Sequence, residues 1–393
     1  MKFVKYLPCY GWNPTVVSVN RSKFSSTDNS LLKEIPEQSK TIRTRSLESK
    51  VMAYAPSHFG LSSKLYMVPD EMISWYPFAL SQAIKVVRND TINVIYSTAP
   101  PYTSLLIGAS LKRRTGLPLV IDFRDPWTQN PEMSYPSHFH QKIDEKMEKK
   151  VLALADRILV STDINRDDLL AKYPEIPPEK CITMTNGFDP GDFEGVEVKT
   201  SGKFRISHTG SFYGRQSPEF FLQAVNRAIE ECKELANDLE IIFAGRSSKE
   251  YWDLSKKYGL EGILVEHGYV PHHKAIEILM SSSCLLLIIG LGDRSNSVYT
   301  GKIFEYMASG VPIIATVPTE GASAKLIKDS GTGVVVDTED VDSIKEAVLQ
   351  HYRSWKAYSL TINTDWSIVN SYDRKKQTKQ LADIFNELAE GCG

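Results

Sequence analysis

Short apolar runs alternate with longer amphipathic segments along this chain of 393 residues, and this alternation constrains the fold most. Runs of this length are typical of strands buried on both faces of a sheet. Parallel strands need a crossover between them, so the alternation predicts βαβ units. The runs that we assign to strands are 15–19, 94–97, 117–123, 157–161 and 181–185, and then 205–209, 240–244, 263–266, 284–289, 312–315 and 333–336.

The alternation stops at residues 186–201, where turn-forming residues dominate, and then starts again. Such a stretch is typical of a hinge, and a chain of this length is expected to fold as more than one domain. We therefore predict an α/β protein with two Rossmann-like, doubly wound parallel-sheet domains that face each other across a cleft. The predicted limits are 1–190 and 191–368, with a C-terminal helix at 369–393 that packs on a domain surface. Residues 20–50 lack strong periodicity and are predicted to form a loop.

Several classes of protein disagree with the composition. The longest apolar runs, such as 284–289, are far shorter than the roughly 20 residues of a membrane-spanning helix. The N-terminus lacks the apolar stretch and cleavage site of a secretory signal, so we expect a cytoplasmic protein. The five cysteines are scattered, which favours reduced thiols over disulfides or a zinc site.

Charge is distributed unevenly along the chain. Residues 1–150 contain 20 Lys and Arg against 13 Asp and Glu, whereas the remaining residues contain 26 against 35. A basic first half is suited to an acidic acceptor or to peripheral contact with an anionic membrane. An ordinary solvated surface explains the same excess.

The segment Thr300-Gly301-Lys302-Ile303-Phe304-Glu305 begins an apolar helix that ends at Gly310. A helix N-terminus presents unpaired N–H groups and the positive end of the helix dipole, so it attracts anions. Gly301 leaves room for a phosphate, Lys302 adds a positive charge, and Glu305 can accept hydrogen bonds from ribose hydroxyls. A weak surface pair between Lys302 and Glu305 is the alternative.

Three further segments follow predicted strands. Gly210 permits close approach of a ligand, and Arg215 a few residues later can bind diphosphate oxygens, although a solvated arginine is the alternative. Arg246 follows the next strand at the same sheet edge, where open α/β folds bind ligands. Asp122-Phe123-Arg124-Asp125-Pro126-Trp127 lies at a strand end in the first half. Here Arg124 and Asp125 either contact a substrate or form a clamp that fixes the loop. We assign structural roles to two histidines, His208 within a strand and His272 at the start of a helix.

Residues 301–315 resemble the donor-site segment of GT-B glycosyltransferases of family 4, also called group 1, and residues 122–127 resemble a signature of one branch of that family. The resemblance implies that Glu305 holds the ribose of the donor and that Lys302 and the helix start, with Thr300 and Gly301, face the diphosphate. It places Gly210 and Arg215 in the first loop of the nucleotide domain. The backbone of Tyr269 and Val270 would read the base.

Ser297 stands where many family members have a glutamate that contacts the donor sugar. Which group contacts the sugar hydroxyls therefore stays open, with Asn296 or Ser297 as candidates. The resemblance makes Arg124, Asp125, Arg215 and Lys302 the candidate catalytic residues.

The activity that the resemblance implies is transfer of a hexosyl group from a nucleoside diphosphate sugar, by default a UDP-sugar, with retention of configuration. The acceptor would be a glycan or a lipid-linked glycan in polysaccharide biosynthesis. We expect no cofactor, no bound metal and no nucleic-acid partner.

The chain departs from the family at its beginning. Members start with a strand and a glycine-rich loop before the helix that corresponds here to residues 3–10, and neither is recognisable in this sequence. We expect either a start site recorded downstream of the true one or a shortened, inactive descendant. A degenerate binding or scaffold protein is therefore one alternative to the enzyme, and a nucleotide-sugar epimerase on the same fold is another.

Overall fold

The computed structural model describes residues 2–20, 30–47, 67–130, 133–199, 201–212, 216–246, 249–292, 295–297 and 299–391. Contacts divide the chain into two compact units, Met1–Thr185 together with Gln377–Gly393, and Asn186–Lys376. These limits differ from the predicted 190/191 and 368/369 boundaries, of which the first was drawn from turn-forming residues and the second from the start of an amphipathic helix. Residues 377–393 belong to the first unit because they pack against it, although they are distant from it in sequence.

The first unit contains six described strands and helices that connect them. The strands are β1 (Thr15–Val19), β2 (Lys40–Thr44), β3 (Ile95–Ala99), β4 (Leu119–Phe123), β5 (Arg157–Val160) and β6 (Cys181–Thr183). The helices are α1 (Lys2–Tyr6), α2 (Tyr76–Asn89), α3 (Thr103–Thr115), α4 (His138–Leu154) and α5 (Asp163–Lys172), with short 3-10 turns at Leu7–Tyr10, Ser30–Glu34, Ile73–Trp75 and Pro178–Lys180.

The described strands of the first unit form two separate sheets. β1 pairs in parallel with β2, and β3, β4, β5 and β6 form a separate parallel sheet in that order. Within the described part of the first unit, β1 has no partner besides β2, and β3 has none besides β4. Residues 40–44 were predicted to belong to a loop, and this prediction is wrong because Lys40–Thr44 pair along the whole length of β1. A strand of five residues with a single apolar side chain carries little periodic signal of its own.

The four-stranded sheet of the first unit is covered on both faces. One face carries Ile95, Leu119, Ile121 and Ile158, and it packs against α2, α3 and α4. The other face carries Val120 and Leu159, which pack with Leu7 and with the C-terminal residues Leu381, Ile384 and Phe385. Alternate residues of each strand therefore face opposite helical layers, as the pleat requires.

The second unit contains a six-stranded sheet with helices between the strands. Its strands are β7 (Phe204–Thr209), β8 (Leu239–Ala244), β9 (Leu264–Gly268), β10 (Cys284–Ile288), β11 (Ile313–Thr316) and β12 (Gly333–Val336). Its helices are α6 (Glu219–Glu231), α7 (Leu235–Asp238), α8 (Lys249–Lys257), α9 (His272–Met280), α10 (Gly301–Ser309), α11 (Ala322–Ser330), α12 (Val341–Lys356), α13 (Trp366–Val369) and α14 (Arg374–Glu390), which ends in the first unit, with 3-10 turns at Pro190–Asp192, Ser295–Ser297 and Asn370–Tyr372.

All neighbouring strands of this sheet are parallel, in the order β12-β11-β10-β7-β8-β9. The order reverses between β7 and β10, and ligands of doubly wound folds bind outside the carboxyl ends of the strands at such a switch point. Each of the six strands predicted in this half is present, and the predicted parallel α/β architecture is confirmed. Among the described residues, none of the helices has the length and apolar composition needed to cross a bilayer.

Candidate functional site

The loops that follow β7 and β8 are in contact at the switch point. Gly210 has a φ of +105°, and its N–H donates to the Ala244 carbonyl at 2.8 Å. A Cβ on Gly245 would lie only 2.2 Å from the Gly210 carbonyl oxygen. The Arg246 N–H donates to Ser211 Oγ at 3.0 Å. Only glycine fits at position 245, because the backbone of the first loop occupies the space of a side chain.

Helix α10 begins beside these loops. Thr300 is its N-cap residue, but the Thr300 hydroxyl caps none of the helix N–H groups. This Oγ1 is buried and has no hydrogen-bond partner among the described residues. Among the described residues, no atom lies within 4 Å of where a Cβ on Gly301 would be, so there is space beside the first residue of the helix. The N-terminus of α10 therefore keeps the anion-binding capacity that its dipole and N–H groups provide.

The Lys302 side chain extends from α10 to the glycine loop after β7. A Cβ on Gly210 would lie 3.0 Å from Lys302 Nζ and 3.1 Å from Lys302 Cε, so the amine is packed against the bare backbone of Gly210. Lys302 Nζ also lies 3.1 Å from Nε2 of His208. Burial lowers the pKa of Lys302 from 10.5 to about 8, and the carboxylate of Glu305 opposes this shift.

Tyr306 attaches the same helix to the end of β7. Its fully buried hydroxyl accepts a hydrogen bond from the Thr209 N–H at 2.9 Å. Burial raises the pKa of Tyr306 to about 12, so the phenol is neutral and keeps its proton. The tyrosine fixes the position of α10 relative to the end of β7. Lys302, one turn earlier on α10, is thereby directed to the glycine loop.

Glu305 is held by a histidine from α9. Glu305 Oε1 lies 3.0 Å from Nε2 of His272, and Nδ1 of His272 lies 3.9 Å from Oδ2 of Asp192. Side chains of Glu305 and His272 are each about a quarter exposed (27%), so the carboxylate is oriented but accessible. The weak surface pair between Lys302 and Glu305 that the spacing also suggested does not occur, because the two side chains have different partners.

The other predicted residues of this half that the structure describes lie in turns and loops of the second unit. Ser297 is buried in the 3-10 turn that precedes Thr300. Tyr269 follows β9 and is 54% exposed, whereas Val270 packs against a small apolar cluster of Ile242, Ala244 and Ile278. Arg246 is exposed at the end of β8. Arg215 lies outside the described residues.

The first unit presents Arg124 and Asp125 on an exposed loop after β4. Arg124 donates from Nε to the Ala99 carbonyl at 3.2 Å and from Nη2 to the Pro100 carbonyl at 2.8 Å. These bonds tie the loop to the end of β3. Arg124 therefore has a structural contact that the sequence offered only as an alternative, while the exposed guanidinium still faces solvent.

Buried carboxylates of α4 also fix this loop. The Trp127 indole N–H donates to Asp144 Oδ1 at 2.9 Å, and the Tyr135 hydroxyl donates to Asp144 Oδ2 at 2.8 Å. Burial raises the pKa of Asp144 to about 6, although both hydrogen bonds oppose the shift. One turn later, the buried Glu148 accepts a hydrogen bond from the Tyr173 hydroxyl at 2.6 Å.

Sequence reasoning missed four residues around these two sites. It gives His208 and His272 structural roles only, and it does not single out Tyr306 or Asp144. Asp144 and Glu148 carried one usable signal, since two acids spaced four residues apart on the apolar side of a helix need partners when buried. The contacts of His208 and Tyr306 join residues more than 90 positions apart, and no local pattern indicates them.

Comparisons with known protein families find a match in each unit of the fold. Residues 203–354 match the family model described as glycosyl transferases group 1, and residues 29–187 match the model described as glycosyl transferase 4-like domain. The two matches lie in the two units of the fold, and together they span most of the chain. The chain carries two glycosyltransferase domains, a 4-like domain and a group 1 domain. No curated protein matches this sequence.

Solved structures share the fold of this glycosyltransferase at low sequence identity. A glycosyltransferase from Rickettsia africae is 13% identical with a TM-score of 0.66, over 98% of this chain and 93% of that one. Sucrose-phosphate synthase from Thermosynechococcus elongatus is 12% identical with a TM-score of 0.68, over 99% and 92%. WaaG, a glycosyltransferase involved in lipopolysaccharide biosynthesis, is 12% identical with a TM-score of 0.64, over 98% and 94%. These similarities establish the GT-B fold.

Proposed function

We propose that this glycosyltransferase binds a nucleoside diphosphate sugar at the switch point of its second unit and transfers the hexosyl group to a glycan or lipid-linked acceptor. One observation supports the proposal most. The amine of Lys302 lies against the bare backbone of Gly210, beside a helix N-terminus that its N-cap residue leaves uncapped. A partly buried cation and the N–H groups of a helix start at one place match the charge of a diphosphate.

The remaining donor contacts follow from the same geometry. Glu305 is oriented by His272 and lies one turn along α10, where its carboxylate would accept hydrogen bonds from the ribose. The backbone of Tyr269 and Val270 would read the base, which we take to be uracil by default. Gly210, Arg215 and Arg246 would line the phosphates, and Ser297 would hydrogen-bond the sugar in place of a carboxylate.

Catalysis would consist chiefly of stabilising the leaving diphosphate. Negative charge grows on its oxygens as the glycosidic bond to the sugar breaks, and preorganised cations lower the barrier by binding that charge more tightly in the transition state. Lys302, Arg215 and the start of α10 would supply the positive charge without a metal ion. We propose that Arg124 and Asp125 position the acceptor and that configuration is retained.

The cellular role is proposed at the level of the family. Polysaccharide or lipid-linked glycan assembly would place the protein in the cytoplasm, with peripheral contact to an anionic membrane through the basic first half. The fold similarity to WaaG is compatible with such a role.

A second candidate is a binding protein that has lost transfer activity. Ser297 favours it, because a serine hydroxyl stands where many family members have a carboxylate that contacts the donor sugar. This candidate keeps the diphosphate contacts of the second unit and lacks the transfer activity.

Calorimetric titration with a panel of nucleoside diphosphates, followed by product analysis with a labelled sugar nucleotide, tests both candidates. Lys302→Ala should reduce turnover by about 100-fold or more, the scale of removing one transition-state donor. Lys256→Ala is the matched control, because Lys256 is exposed in the last turn of α8, on a different helix. Nucleotide binding without product would favour the second candidate. Unchanged turnover in Lys302→Ala would refute the site itself.

A further inference from the structure

His208 is a fully buried histidine that the proposed function does not use. It lies in the middle of the second unit on β7, with both edges of the strand paired. The Phe212 ring stacks on the imidazole at a centroid distance of 4.2 Å, and Phe243 meets it edge-on at 6.2 Å. Burying a polar ring among aromatic side chains is unfavourable unless both of its nitrogens have partners.

The partners of His208 determine its tautomer. Nδ1 lies 2.9 Å from the carbonyl oxygen of Leu286, which only accepts hydrogen bonds, so Nδ1 carries the proton. Burial, together with the nearby charge of Lys302, lowers the pKa of His208 well below its ordinary value, and the ring is neutral. Nε2 therefore presents a lone pair, and the group that faces it at 3.1 Å is the amine of Lys302.

Few groups near the Lys302 amine favour its charged form. Among the described residues, His208 is the only side chain within hydrogen-bonding distance of its amine. The one described carboxylate that acts on Lys302 is Glu305, which is engaged by His272. A hydrogen bond from the ammonium to a neutral imidazole stabilises the charged form without cancelling its charge.

We propose that His208 is a positioning residue: its Nε2 accepts a hydrogen bond from Lys302 and so holds a charged amine against Gly210, facing the diphosphate of the donor. A carboxylate at this place would neutralise the lysine, whereas an imidazole orients it and leaves the positive charge for the ligand. The choice of ligand rests on the proposed function, but the coupling of His208 to Lys302 does not.

Two substitutions separate this role from a merely structural one. In His208→Asn the amide nitrogen can replace Nδ1 and keep the bond to Leu286, but no acceptor reaches Lys302. In His208→Gln the longer side chain can place its amide oxygen where Nε2 lies and keep the acceptor for Lys302. A role in positioning Lys302 predicts that Asn is harmful and Gln is tolerated, whereas a role in anchoring the strand predicts the reverse.

The direct measurement is the pKa of Lys302 in the full chain without ligand, followed by NMR of ¹³Cε-labelled lysine and assigned with Lys302→Met. We expect His208→Asn to lower this pKa by about one unit relative to wild type, because a hydrogen bond to a charged group is lost. His208→Gln should stay close to wild type. An unchanged Lys302 pKa in His208→Asn overturns the proposal, whatever the nucleotide affinity.

Calorimetry with UDP gives the second readout. Affinity should fall as the pH rises through the pKa of Lys302, and His208→Asn should weaken binding about 5-fold near pH 8, approach about 10-fold at higher pH, and move the midpoint to lower pH. In the Lys302→Met background, His208→Asn should have no further effect, and an equal loss there overturns the positioning role. If the Lys302 pKa shifts as expected but wild type binds no nucleoside diphosphate, the proposed function fails and the coupling of the two side chains stands.

Discussion

Replacement of Asp144 by asparagine should remove a specific pH dependence from the stability of the first unit. Asp144 is completely buried beneath the loop that carries Arg124 and Asp125, where it accepts hydrogen bonds from Trp127 and Tyr135. Burial, reinforced by the nearby charge of Glu148, raises its pKa from 3.8 to about 6. A difference of about two pKa units corresponds to roughly 3 kcal/mol at about 1.4 kcal/mol per unit.

The sign follows from which state releases the proton first. Well below the unfolded pKa of 3.8 the carboxyl is protonated in both the folded and the unfolded state, so the raised pKa has no effect on stability. Between pH 4 and 6 the unfolded state ionises while the folded state still holds the proton, so the free energy of unfolding falls as the pH rises. Above the folded pKa of about 6 the loss is complete. The asparagine side chain does not titrate, so the variant lacks this loss.

Urea denaturation of wild type and Asp144→Asn at several pH values between 4 and 7.5 measures the effect. The free energy of unfolding of the variant minus that of wild type should rise by roughly 2.5 kcal/mol across this range, the greater part of the total. Taking the difference cancels the titration of groups that do not interact with Asp144. Asp167→Asn is the control, since its exposed side chain lies on α5 of the same unit. A difference between Asp144→Asn and wild type that is constant with pH would refute the raised pKa.

Two further predictions concern the second unit. Gly245→Ala should weaken nucleoside diphosphate binding at least about 10-fold, because its Cβ would lie 2.2 Å from the Gly210 carbonyl oxygen and displace the loop. Gly262→Ala is the control and should bind as wild type, because a Cβ there meets no described atom within 4 Å. Equal affinities of the two variants would contradict the tight fit at Gly245. Tyr306→Phe should lower the free energy of unfolding of this unit by about 1–3 kcal/mol, since it leaves the buried Thr209 N–H without its partner. Urea denaturation measures the change, and an unchanged denaturation midpoint would show that the hydrogen bond between Thr209 and Tyr306 is dispensable.

Much of the fold could be predicted from local patterns. The six strands of the second unit are short runs rich in apolar residues and separated by helical segments, so the alternation of the two identified them and their parallel arrangement. Helix α10 was equally visible, because Gly301 and Gly310 bracket an amphipathic stretch, and Gly310 indeed ends the helix in the left-handed conformation at a φ of 70°. Strand β2 was missed because Ile42 is its single apolar side chain, and one apolar residue defines no period.

The partners of the candidate site residues were not accessible in this way. The sequence by itself determined which residues can carry charge at the carboxyl edge of the second sheet, and it determined the helix that presents Lys302 and Glu305. The tertiary structure decided that Lys302 meets His208, 94 positions earlier, and that Glu305 meets His272, 33 positions earlier. Periodicity reports only the neighbours along one element. Hydrogen bonds between elements depend on the order of the strands and on the position of each helix over the sheet, and these are set only when the whole core packs.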